Sequence, residues 1–181
     1  VDVTENAVLT DGLTGFDGNW GTVGTTDVLL IQNDKCTTNP MKVVVNYALG
    51  ETKTIDALVL DFYHCAGVMI GYPEGKVLVE YSVDGVEYTA LGVHDLAAAE
   101  VAVGSYGTVS STLAFDAVDA AYVRATFVVG SSTGVLGDSP ADGKVFWEFA
   151  SLAEVAVNEV VYNEVVVDVN TNAVLTDGLT G

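Results

Sequence analysis

Positive charge is scarce in this chain: six Lys and Arg stand against 25 Asp and Glu, a formal net charge of −19 over 181 residues. Lys35, Lys42, Lys53, Lys76, Arg124 and Lys144 are scattered singly, whereas nucleic-acid binding needs clustered cations to displace counterions from phosphates. The same scarcity argues against an anionic membrane surface. Long apolar runs are missing as well. None reaches the roughly 18–20 residues that span a bilayer as a helix, although half of the chain is apolar and can bury one sizeable core. There is no initiator Met, basic n-region or apolar h-region, so an export signal is expected outside this piece or already removed.

Histidine and cysteine are nearly absent: His64, His94, Cys36 and Cys65 are the whole set. Two thiols do not make a structural zinc site without two further ligands, and His64 adjoins Cys65 while His94 lies far off. Two readings stay open: a Cys36–Cys65 disulfide tying two loops of a secreted protein, or two buried free thiols. Neither His stands in a GxSxG or HExxH motif, and no phosphate-cradling Gly-rich loop precedes a helix. Carboxylates are too numerous for spacing to single out a glycosidase pair. No enzyme is expected.

What is present is a repeat. Residues 1–15 read VDVTENAVLTDGLTG and residues 167–181 read VDVNTNAVLTDGLTG, differing only at Thr4/Glu5 against Asn170/Thr171. The period of 166 residues is too long for a solenoid unit and ordinary for a whole domain. The parent is read as an array of near-identical domains, with residues 1–157 forming one and 158–181 a linker or strand leading into the next. The Val-rich stretch NEVVYNEVVVDVN (158–170) reads as one or two strands. An exposed sheet edge left by its missing counterpart would invite pairing between copies, with Val160–Val169 as the donated strand.

The remainder reads as β. Strand-like runs cover Val28–Ile31, Met41–Tyr47, Ala57–Tyr63, Val77–Val83, Leu113–Phe115, Tyr122–Val129, Val145–Phe149 and Leu152–Val157, separated by turn signals such as Asp84-Gly85 and Asp142-Gly143. The stretch DLAAAEVAV (95–103) is the one place where a short helix is expected. Many short strands with Gly-rich connections predict an all-β sandwich or barrel.

The order of segments carries more. LTDG (Leu9–Gly12) is followed by Trp20-Gly21-Thr22, then VLVEYSVDGVEYTALG (Val77–Gly92), AAYVRATFVV (Ala120–Val129) and LAEVAV (Leu152–Val157). Over about residues 7–157 this resembles the discoidin, or coagulation-factor C-type, domain and the family 32 carbohydrate-binding modules. The resemblance implies an antiparallel β-sandwich of jelly-roll form. It also implies a structural calcium where the LTDG loop meets the closing strand, with carboxylates from Asp11 and Glu154, Thr22, and carbonyls of Val8, Leu13 and Ala153. Calcium takes six to eight oxygens, many of them from backbone, so such a shell is chemically adequate. The alternative makes Asp11 a turn residue bonding its own backbone and Glu154 a surface charge. Arg124 of the "yVR" strand reads as a structural guanidinium pinning carboxylates or loops.

Sugar sites of this type pair an aromatic platform with polar groups on end loops. Trp20, His64, Tyr72 and Trp147 are the candidates, with Asp138 and Asp142 on the loop 130–144. Two functions follow. The main one is a non-enzymatic, extracellular tandem module of a cell-surface protein, adhesive or scaffolding, with neighbouring identical repeats as partners. The alternative is a carbohydrate-binding module, repeated for avidity.

Overall fold

The computed structural model describes residues 1–13, 28–32, 41–65, 70–71, 75–98, 100, 106–129 and 149–162. A 3₁₀ turn at Ala7–Leu9 precedes seven strands: β1 (Leu29–Gln32), β2 (Met41–Cys65), β3 (Ile70–Gly71), β4 (Lys76–Ser82), β5 (Thr89–Asp95), β6 (Tyr106–Val129) and β7 (Phe149–Glu159). Their order is β1-β7-β2-β6-β4-β5, with β3 alongside β7. Every pairing among these strands is antiparallel except β3 with β7. The all-β antiparallel class expected from the sequence is what the chain adopts.

Two long strands organise it. β2 and β6 pair from Met41 opposite Val129 to Cys65 opposite Tyr106. The ladder is broken by register shifts between Ala48 and Lys53 and between Ile55 and Ala57. Such irregularities bend a strand and increase its twist, and Gly50, at φ +81°, supplies the left-handed residue the first bend requires. The two halves of β2 then have different neighbours. Beyond β6, the first half lies beside the N-terminal segment through an Asp2–Asn46 bridge, and the second half beside β7 from Ile55 to Phe62.

The bends let apolar faces of the two halves meet. Phe62, on the second half of β2, meets the ring of Phe127 edge-on, with centroids 5.4 Å apart and planes at 83°. Phe127 is paired with Val43 on the first half, so this contact crosses the layers. Edge-to-face geometry suits the ring quadrupoles. Val45, Ile55, Leu58, Leu60, Val77, Val79, Leu113, Val123, Leu152 and Val155 complete the core with Val3 and Leu9 of the N-terminal segment. Each full burial of a side chain this size contributes about 1.5–3 kcal/mol.

Several boundaries differ from expectation. Met41–Tyr47 and Ala57–Tyr63 belong to one strand, as do Leu113–Phe115 and Tyr122–Val129. The intervening polar residues are accommodated by bulges rather than loops. β7 runs on to Glu159, and Val160 N–H donates to the Thr54 carbonyl at 2.8 Å. The helix expected over 95–103 does not start: Asp95 ends β5, Leu96 N–H donates to the Gly75 carbonyl and Ala97 N–H to Ser111 Oγ. Residues 96–98 run as irregular chain tied to β4 and β6 at these points. Residues 99 and 101–103, Val145–Trp147 and the loop 130–144 lie outside the described residues.

Candidate functional site

The LTDG loop is built from its anchors outward. Leu9 is fully buried and Val8 packs partly buried against the same core, which fixes the 3₁₀ turn. Thr10 N–H closes that turn on the Ala7 carbonyl at 3.2 Å. The chain then reverses at Asp11-Gly12: Leu13 N–H donates to Asp11 Oδ1 at 2.9 Å, and Gly12 takes φ +79°. The turn role of Asp11 is thus realised. Leu13 is exposed and Ala153 fully buried.

Glu154, however, is no isolated surface charge. Gly12 N–H donates to its Oε2 at 3.2 Å, a contact between residues 142 positions apart in sequence. On the sheet Glu154 is paired with Asp61 of β2, and paired residues put their side chains on one face. Asp61 is nearly buried, and its Oδ1 has no hydrogen-bond partner among the described residues. Burial above all, followed after the opposing Gly12 N–H by the charges of Asp11 and Asp61, raises the Glu154 carboxyl above its ordinary pKa. Glu154 therefore feels the charges of Asp11 and Asp61 where the closing strand meets the N-terminal loop. A cation would relieve that repulsion.

Oxygen donors of the type calcium takes are present at this junction, in the carboxylates of Asp11 and Glu154. Among the described residues no group of three or more His, Cys, Asp or Glu side chains is arranged to hold a metal ion. A shell built chiefly from backbone oxygens needs fewer carboxylates than that. Asp11 and Glu154 would supply carboxylates, and Val8, Leu13 and Ala153 carbonyls. Thr22 lies outside the described residues. Asp61 was not singled out from sequence, yet a signal exists: it is the one charge inside the run ALVLDFYHC (57–65), and an acid in an apolar run is rarely buried without purpose.

The ligand candidates divide differently. Trp20, Tyr72 and Trp147 lie outside the described residues, as does Cys36. His64 and Cys65 close β2, paired through their backbones with Gly107 and Tyr106. Arg124 takes the structural role expected of it. Its Nε donates to Glu80 Oε2 at 2.8 Å across the β4–β6 ladder, and its guanidinium lies 3.8 Å from the centre of the Tyr88 ring. The Glu80 carboxylate, first among the causes, raises the already high pKa of the guanidinium.

No protein-family model matches the chain, and no curated protein matches it. It is similar to solved structures of family 32 carbohydrate-binding modules. One is from Clostridium perfringens, in complex with GalNAc-β-1,3-galactose: 18% identity over 72% of this chain and 74% of that one, TM-score 0.43. A second, from a family 31 glycoside hydrolase of the same organism, is 19% identical over 68% and 70%, TM-score 0.45. A chitosan-binding module of a Paenibacillus chitosanase/glucanase is 17% identical over 66% and 68%, TM-score 0.32.

Proposed function

We propose that this chain is a non-catalytic, extracellular glycan-binding module, stabilised by calcium and repeated along its parent protein. The observation that carries this reading is the hydrogen bond from Gly12 N–H to Glu154, which joins the LTDG loop to the closing strand as the discoidin resemblance implies. Calcium at that junction would be held by Asp11, Glu154 and Thr22 with the carbonyls of Val8, Leu13 and Ala153. Its part is structural: it neutralises the Asp11 and Glu154 carboxylates and fixes the loop end. The ligand class follows the resemblance and the modules just described, one of which carries GalNAc-β-1,3-galactose. Trp20, Tyr72 and Trp147 are the candidate platforms for a sugar face, and His64 a candidate hydroxyl partner.

A glycan array probed with micromolar protein tests it. Retention on a defined glycan class, lost in Trp20→Ala or Tyr72→Ala while the melting temperature holds, is the expected result. Absence of retention at every position, with or without calcium, removes glycan binding. The recurrence of residues 1–15 at 167–181 favours a second reading, an adhesive or scaffolding array of identical units. Small-angle scattering of a two-unit chain tests that one: a rigid rod stiffened by calcium supports it, and two freely jointed bodies count against it.

A further inference from the structure

Among the described residues, Asp61 has no counter-charge. It stands in β2 between Leu60 and Phe62, which are 0% and 1% exposed, and is itself only 9% exposed. Its Oδ1 has no hydrogen-bond partner among the described residues. The ion pairs of those residues join Lys53 to Glu51 and Glu159, Lys76 to Asp95, and Arg124 to Glu80. None of them reaches Asp61. A carboxylate this deeply buried is ordinarily paired with a cation or bound to a metal.

The neighbours of Asp61 add negative charge. Across the β2–β7 ladder it is paired with Glu154, whose side chain shares its face, and on its other side with Ser110 of β6. Glu154 in turn holds the Gly12 N–H of the loop that carries Asp11. Asp61 acts on the Glu154 carboxyl in the same direction as burial and Asp11 do, toward the neutral form. It therefore belongs electrically to the junction where Asp11 and Glu154 offer their oxygens. No three acidic side chains among the described residues are arranged as direct ligands of one ion, so Asp61 acts there through its charge.

We propose that Asp61 sets the strength of the calcium site: its buried negative charge draws the cation to the Asp11–Glu154 junction and weakens the fold when the cation is removed. This rests on the calcium reading given above and adds a coupling to it. Without a cation, Asp61 and Glu154 repel each other where little water screens them. With one, both carboxylates gain the same counter-charge. Affinity at oxygen-liganded calcium sites depends on the number of negative charges gathered there, so one residue governs both quantities.

Asp61→Asn tests the proposal, because the carboxamide keeps the shape of the side chain, removes its charge and can donate to Glu154. Two quantities are measured on the 181-residue chain: the melting temperature after chelation, and the calcium dissociation constant by titration calorimetry. The variant should melt higher than the unsubstituted chain when metal-free, and should bind calcium about tenfold more weakly. Asp116→Asn removes an exposed charge from β6 and controls for net charge; it should change both quantities far less. A metal-free melting temperature at or below that of the unsubstituted chain overturns the proposal. So does an unchanged dissociation constant, or an equal change in the Asp116→Asn control. If the unsubstituted chain binds calcium and Asp61→Asn binds it equally well, the calcium reading stands and this inference alone falls. If the unsubstituted chain binds none, both fall.

Discussion

Two Asp-Gly turns in this molecule look alike in sequence and behave differently in structure. At Asp84-Gly85 the carboxylate accepts Val86 N–H at 2.8 Å, Glu87 N–H at 3.1 Å and Ser82 Oγ at 2.9 Å. Gly85, at φ +76°, packs against the Tyr122 ring. This turn satisfies its polar groups locally. At Asp11-Gly12 the carboxylate receives one backbone N–H, from Leu13, while Gly12 turns its own N–H to a carboxylate on a distant strand. The pKa directions differ accordingly. Hydrogen bonds, chiefly from Val86 and Glu87, lower Asp84, and burial beside other carboxylates raises Glu154. The first turn spends its acid on holding a hairpin. The second ties its loop to an acid on a distant strand, whose carboxyl feels the charges of Asp11 and Asp61.

The largest expected effect breaks the support of the second turn. Leu9→Ala, at a fully buried anchor, should cost about 2–5 kcal/mol in chemical denaturation and loosen the Gly12–Glu154 junction. Calcium comes next. At free calcium a hundredfold above its dissociation constant, the folded state should gain about 2.7 kcal/mol, read as a rise in melting temperature. Glu154→Gln or Asp11→Ala should abolish that rise, and Asp84→Asn should leave it intact. Identical rises in all variants would erase the distinction between the turns.

Gly85→Ala should cost about 2 kcal/mol, since a Cβ there meets the Tyr122 ring at 3.1 Å in addition to the left-handed strain. Gly12→Ala should cost about 1 kcal/mol from strain alone, because nothing lies within 4 Å of a Cβ at that position. Equal losses would mean the second turn is as tightly packed as the first.

The smallest effect is in pH, measured on metal-stripped protein. Asp84 has a lowered folded pKa, so its contribution is present above the ordinary value of 3.8 and fades as pH falls through the folded value. Glu154 has a raised folded pKa, so the folded state takes up a proton before the unfolded one does. Stability should therefore rise slightly as pH falls through its folded value toward the ordinary 4.5. Glu154→Gln should flatten the gain and Asp84→Asn the loss.

Much of the fold was readable from alternation and turn residues, and the misses have physical causes. Polar stretches such as GETKTID (50–56) fell between the strand runs, because sequence periodicity does not distinguish a strand that bulges from one that ends. β5 escaped notice because it lies at the edge of the sheet: its side chains are half-buried or exposed, and an edge strand has no buried face to enforce alternation. The Ala-rich run after Asp95 carries helical propensity, but residues 96–98 stay irregular, held to Gly75 and Ser111 of the neighbouring segments. At the candidate site, Asp11 and Glu154 were singled out through segment order, and the Gly12–Glu154 hydrogen bond brings their loop and strand together. Asp61 was missed because its neighbour across the ladder comes from β7, 93 residues further along the chain. Local pattern carries no information about such a pairing.

The central place of β2 also governs how the chain must acquire its structure. This strand touches the N-terminal segment, β6 and β7, and its last lateral partner is supplied only by residues 149–159. Folding rates fall as contacts become more distant in sequence. A nascent chain emerging in order from the ribosome can dock its first residues on β2 early, yet it cannot close the core until residues 149–159 have emerged. The core therefore closes late, and until β7 arrives the second half of β2 offers an unpaired edge that another strand can take in error.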